Sequence, residues 1–198
     1  MPPRLASCLQ WYASLDAPAG EPDVCASRDV FQARLDTLLR QLLHGGWPDQ
    51  EAALLVAVIG EVGNNSFDHN LGQWKDVPGC WFGGDPDHVP PLFWIADRGV
   101  GILATLRRAD PALATPHEAI EAAFARTLSG RTPERRGNGL KFVRSVINGR
   151  ATRGLVCQSG GASQEFGALC APLAEARARL AGIQQAGVVV VVAWRPQR

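Results

Sequence analysis

The sequence has no charge of one sign in excess: twenty basic residues stand against nineteen acidic ones over 198 residues, a formal net charge of +1. Near-neutrality supplies no general attraction to nucleic acid or to an acidic membrane surface, so both partner classes are disfavoured. No apolar run approaches the ~20 residues that span a bilayer, and Met1 to Cys8 lacks the apolar core of a signal peptide. A cytoplasmic chain is expected. Cys8, Cys25, Cys80, Cys157 and Cys170 are odd in number, scattered and free of any CxxC pair, which argues against a disulfide framework and a zinc site. Reduced, mostly buried thiols are expected. What remains is an ordinary globular composition, 46% hydrophobic and 20% charged, long enough for one domain with a sizeable core.

Residues 1–27 mix Pro2, Pro3, Pro18, Pro22 and Gly20 with a short apolar patch of Leu9, Trp11, Tyr12 and Leu15, and read as an irregular arm packing on the domain or on a partner. The division is an arm over residues 1–28 and one domain over residues 29–198. From Asp29 to Leu43 the apolar spacing predicts a helix, with Ser27 or Asp29 as cap and Gly45-Gly46 as its end.

A second helix follows Pro48-Asp49. Leu54, Leu55, Val58 and Val62 recur at helical spacing, and at about 100° per residue Asn65 falls over Leu54 and Val58, with Glu61 and Asp68 at the edge of the stripe. The core-facing stripe turns polar over its last two turns. Carboxylates and amides in such a place cost several kcal/mol unless something satisfies them, so either the helix emerges into solvent there or a ligand meets it.

Residues 71–88 are rich in Gly, Pro and Trp and contain one short strand near Cys80–Phe82; the spacing of Cys80, Asp85, Asp87 and His88 matches no metal-ligand pattern. Leu92 to Ala96 reads as a buried strand that delivers Asp97-Arg98-Gly99-Val100-Gly101-Ile102. Glycines at alternate positions after a strand-end aspartate let a flat ligand or phosphate approach the backbone, while the carboxylate accepts from a donor such as an exocyclic amine. Ile102–Arg108 and His117–Leu128 read as helices, the second opened by a capping box of Thr115, Pro116 and Glu118. A polar, basic stretch with Arg126, Arg131, Arg135 and Arg136 leads to Gly137-Asn138-Gly139 and a helix over Leu140–Ile147. Glycines ahead of a helix expose N–H groups at its positive end, where phosphate binds. Thr152–Gln158 and Gly187–Trp194 read as strands, the second apolar enough to be central, with helical spacing over Pro172–Ile183 between them.

Three stretches thus stand in order: Glu61 to Asn65, Asp97-x-Gly99-x-Gly101, and Gly137-x-Gly139-Leu140. Together they resemble the N box and the two glycine boxes of the GHKL ATP-binding fold, shared by gyrase, the heat-shock chaperone of ninety kilodaltons, the histidine kinases and the MutL repair proteins. The resemblance covers about residues 30–194. It implies an α/β (α+β) two-layer sandwich, a mixed sheet with helices on one face.

It also implies ATP and Mg²⁺ as ligands. Asn65 would coordinate the metal, Asp97 would receive the adenine amino group, and Gly99, Gly101 and Ile102 would let the backbone approach the nucleotide. Asp68 would complete the nucleotide wall. Gly137, Asn138, Gly139 and Leu140 would lie by the phosphates at the end of a lid over Ser129–Arg136, with Arg135 or Arg136 neutralising their charge. Glu61 matches the residue that activates water as general base in the ATPases. One departure is Val188 after Gly187, where many members carry a threonine near the adenine. The absence of an upstream phosphoacceptor helix and of a downstream transducer domain turns the expectation toward a stand-alone module: an ATPase or a protein kinase of the anti-sigma serine kinase type, acting on a protein partner. A homodimer is compatible with that reading. The alternative is a non-catalytic, nucleotide-gated switch.

Overall fold

The computed structural model describes residues 1–14, 16, 20–125 and 138–197. In chain order the elements are α1 (Pro3–Ala13), β1 (Val24–Cys25), α2 (Arg28–His44), α3 (Asp49–Asn70), β2 (Cys80–Asp85), β3 (Leu92–Asp97), α4 (Gly101–Leu106), α5 (Pro116–Ala125), α6 (Gly139–Asn148), β4 (Arg153–Ser159), β5 (Ala162–Gly167), a 3-10 turn (Ala171–Leu173), α7 (Ala174–Leu180) and β6 (Val188–Trp194).

The strands form one six-stranded sheet in the order β1-β2-β3-β6-β4-β5, and every pairing is antiparallel. The expected mixed sheet is thereby corrected. β6 enters between β3 and β4 and runs opposite to both, which buries it on both faces and accounts for its unbroken valine run. Because strand side chains alternate, Ile95, Cys157, Val190 and Val192 face one side, where α2, α3, α5 and α6 pack. Trp94, Ala96, Val156, Val189 and Val191 face the other, which α1 and α7 cover. Helices therefore lie on both faces, not one, because β6 is apolar at every position and β3 from Leu92 to Ala96, so each face needs cover.

Within the irregular arm expected over residues 1–27, Pro3–Ala13 form the helix α1 and Val24–Cys25 the strand β1. The prolines of α1 start it rather than break it: Pro2 is the N-cap and Pro3 the first helical residue, where a missing N–H costs nothing. Leu5, Cys8, Leu9 and Tyr12, spaced at i, i+3, i+4 and i+7, are buried against the sheet. Its end is tied down by Tyr12 Oη, which donates to the Gln185 carbonyl at 3.0 Å.

The α2 and α3 helices form an antiparallel pair. Ser27 Oγ caps α2 by accepting from Val30 N at 3.4 Å. Gly63 of α3 makes room for a side chain of α2: a Cβ there would lie 2.1 Å from Cζ of the fully buried Phe31. At the other end of α3, Glu51 accepts from Arg153 Nη2 at 2.8 Å and from Trp194 Nε1 at 2.7 Å, with the guanidinium 4.1 Å over the indole ring. This cluster pins α3 to β4 and β6 and fixes where its polar C-terminal half comes to lie.

The capping box of α5 forms as read, with Glu118 N donating to Thr115 Oγ1 at 3.2 Å and Thr115 N to Glu118 Oε2 at 3.0 Å. All five cysteines are free thiols, four of them buried. No described helix is long and apolar enough to cross a membrane.

Candidate functional site

The last two turns of α3 carry a polar row on the face that Val62 begins. Ser66 and Asn70 follow at i+4 and i+8, both nearly inaccessible, and they converge on Asp97 at the end of β3. Asp97 Oδ1 accepts from Asn70 Nδ2 at 3.2 Å and from Gly99 N at 2.9 Å, while Oδ2 accepts from Ser66 Oγ at 3.0 Å. With one side-chain donor on it, Oδ2 keeps capacity for a further N–H. Asp97 is 3% exposed, and burial pushes its carboxyl up to about 6; the Gly99 N–H, Ser66, Asn70 and the Val188 N–H offset part of that shift.

The turn after Asp97 is built on glycines for identifiable reasons. A Cβ on Gly99 would sit 2.0 Å from Asn70 Cγ, so this position must be bare for Asn70 to reach Asp97 and to accept from Val100 N at 3.0 Å. Gly99 is buried behind that amide and is not part of the cavity wall described below. Gly101 has φ +82°, and a Cβ there would come within 2.9 Å of Ser159 Oγ. That hydroxyl accepts from Ile102 N at 3.1 Å and donates to the Gly187 carbonyl at 2.8 Å. Gly187 N in turn donates to the Gly99 carbonyl at 2.9 Å.

These groups open onto a cavity of about 540 Å³, within the range of small-molecule sites. Glu61, Asn65 and Asp68 line it from α3, Asp97, Gly101 and Ile102 from the turn, and Asn138, Gly139 and Leu140 from the start of α6. Its floor is apolar: Ile95, Val190 and Cys157 are register partners across β3, β6 and β4, and Val188 lies beside Asp97. Burial, and then the charge of Asp97, push the Cys157 thiol up to about 12, so it stays protonated.

Glu61 is exposed at the cavity mouth, and its Oε2 lies 2.2 Å from where a Cβ on Gly139 would be. The first and third motifs therefore touch, and the glycine is what lets them. Asp68 is ion-paired with Arg28 Nη2, which the sequence reading missed. His69, also on the wall, is lowered by burial and then by Arg108. Arg135, Arg136, Gly137 and the lid expected over Ser129–Arg136 lie outside the described residues.

The loop residues weighed as metal ligands do not assemble. Cys80 is buried opposite Cys25 on the neighbouring strand, and His88 Nδ1 lies 2.7 Å from the Pro90 carbonyl oxygen. Among the described residues there is no group of three or more His, Cys, Asp or Glu placed to hold a metal ion. Ser66, Asn70, Ser159 and Arg28 were absent from the sequence-derived site. Only the first two left a signal, since they continue the buried face of Val62. No protein-family model matches the chain, and no curated protein matches it at a significant level.

Proposed function

We propose that the cavity binds ATP with Mg²⁺, and that the chain is a GHKL-type nucleotide-dependent module that hydrolyses ATP or passes its terminal phosphoryl group to a protein partner. The observation that carries this reading is the meeting of three segments far apart in sequence at one cavity. Glu61, Asn65 and Asp68 from the first, Asp97, Gly101 and Ile102 from the second, and Asn138, Gly139 and Leu140 from the third share its wall.

The division of labour follows from chemistry. The apolar strip of Ile95, Val188 and Val190 suits a planar base, and Asp97 Oδ2 has room to accept its exocyclic amine. Val188 brings no hydroxyl, but Ser66 supplies one to Asp97 from the opposite wall. The first N–H groups of α6 come to the cavity at Gly139, a place for phosphate oxygens.

The donor set fits a magnesium ion held mainly by its substrate. Asn65 offers one amide oxygen while Asp68 is engaged by Arg28, and Mg²⁺ characteristically takes one or two protein ligands and fills its shell with phosphates and water. The bound ion would neutralise phosphate charge. Glu61, exposed at the mouth, would accept a proton from the attacking water or from a partner's hydroxyl, a contribution of roughly 10²–10⁴-fold in rate.

Single-turnover hydrolysis and partner phosphorylation by Glu61→Gln, measured beside its ATP affinity, test this reading. Retained affinity with turnover reduced at least ~10²-fold supports it. Retained affinity with unchanged biological output in a variant that no longer turns over would give the site to the nucleotide-gated switch.

A further inference from the structure

Arg98 lies between Asp97 and Gly99, and strand alternation sends its side chain through to the other face of the sheet. There it is 1% exposed and fully engaged. Nε donates to Asp76 Oδ1 at 2.8 Å, and Nη2 donates to Asp76 Oδ2 at 2.5 Å. Nη1 is directed at three carbonyl oxygens at the end of α1, Trp11 at 2.7 Å, Tyr12 at 3.2 Å and Ser14 at 2.7 Å. Those carbonyls are the negative end of the helix, and the guanidinium meets all three, joined on the Trp11 carbonyl by Ser14 Oγ at 2.9 Å.

The same turn of α1 holds a second piece of the cavity's support. Tyr12 Oη donates to the Gln185 carbonyl, and Gln185 Nε2 donates to the Ser14 carbonyl at 3.2 Å. Ala186 follows directly and packs against Gly101, whose Cβ would lie 3.3 Å from the Ala186 carbonyl carbon. Both chain segments behind the Asp97 turn are thus gripped by one helix end that never touches the cavity. If α1 left, the buried guanidinium would lose three acceptors at once, and the backbone that aims Asp97 would be freed with it.

We propose that Arg98 is a positioning residue coupling the docking of α1 to the geometry of the Asp97 turn, so that a filled cavity and a docked α1 stabilise one another. The N-terminal helix is then a control point: a partner that pulls α1 from the sheet empties the site, and a ligand in the site holds α1 down. Reciprocity of this kind is a thermodynamic necessity once the two are linked. The ligand arm of the proposal rests on the nucleotide reading above; the arm without ligand does not.

The test is amide hydrogen exchange on the full chain, wild type, Leu9→Ala and Arg98→Met, with and without saturating Mg·ATP, each sample's occupancy measured by calorimetry. Leu9 is a buried α1 residue on the sheet, remote from the cavity wall. Without ligand, Leu9→Ala should speed exchange at Gly99 and Val100, whose N–H groups are bonded to Asp97 and Asn70, at least about fivefold more than at Ile59 of α3. With ligand, wild-type α1 should exchange at least about fivefold more slowly, and Arg98→Met should abolish that slowing while still binding. A uniform acceleration that includes Ile59 would overturn the coupling, because α1 would then contribute to global stability alone. So would unchanged α1 exchange in a sample that calorimetry shows to be occupied. If no nucleotide binds, the ATP reading fails, and exchange at Gly99 and Val100 in Leu9→Ala still decides the coupling.

Discussion

Replacing Asp97 by asparagine should make the empty protein more stable while depriving the cavity of its recognition group. Burial pushes the Asp97 carboxyl up to about 6, against 3.8 for the ordinary side chain. Between those values the folded state binds more protons than the unfolded chain, so stability falls as pH rises through this window and levels off above it. At ~1.4 kcal/mol per unit, the ionised carboxylate costs the fold about 3 kcal/mol at neutral pH relative to its protonated form. Solvent screens little of this, since the residue is 3% exposed.

Asparagine fits the same place: its oxygen keeps the bonds from Asn70 and Gly99, and its amide can donate to Ser66, whose hydroxyl turns to accept. Urea unfolding of both proteins between about pH 4 and 8 is the assay. The variant should be more stable by roughly 1–3 kcal/mol near pH 7.5, with the advantage vanishing toward pH 4. Parallel stability curves across that range would refute the reasoning, because they would mean that the carboxylate is not held in a costly ionised state.

The contact between Glu61 and Gly139 predicts that Gly139→Ala pushes the carboxylate aside, lowering turnover at least ~10²-fold at saturating nucleotide while the unfolding midpoint stays close to wild type. Unaltered turnover in steady-state assays would remove Glu61 from the chemistry. Glu51→Ala strands Arg153 and the Trp194 indole N–H together and should cost about 3 kcal/mol in denaturant unfolding. Gly63→Ala drives a methyl into the buried Phe31 ring, and its unfolding free energy should drop by roughly 1–3 kcal/mol, with α2 losing exchange protection first.

The three motif segments were legible because each combines residue types that a plain strand, helix or turn does not need. A carboxylate at the end of an apolar strand, alternating glycines and an amide on a buried stripe are all local oddities. Most elements were legible through their periodicity, from α2 to the valine run of β6. What escaped has physical reasons. In α1 the prolines read as breakers, although at the first positions of a helix they are starters. Strand β5, Ala162–Gly167, escaped because an edge strand with Ser163, Gln164 and Glu165 carries no apolar alternation. The all-antiparallel order depends on where β6 inserts, which no local pattern encodes. Arg98 looked like filler between an aspartate and a glycine, because its partners are Asp76 in a loop without periodicity and three backbone carbonyls more than eighty positions away in the chain.

Calorimetric titration of the full chain with ATP and with ADP, with and without Mg²⁺, tests the central claim most directly. The account predicts a dissociation constant between about 1 μM and 1 mM, weakened by Asp97→Asn and with its Mg²⁺ dependence lost in Asn65→Ala. No heat and no thermal shift at millimolar nucleotide, with the protein folded, would contradict it.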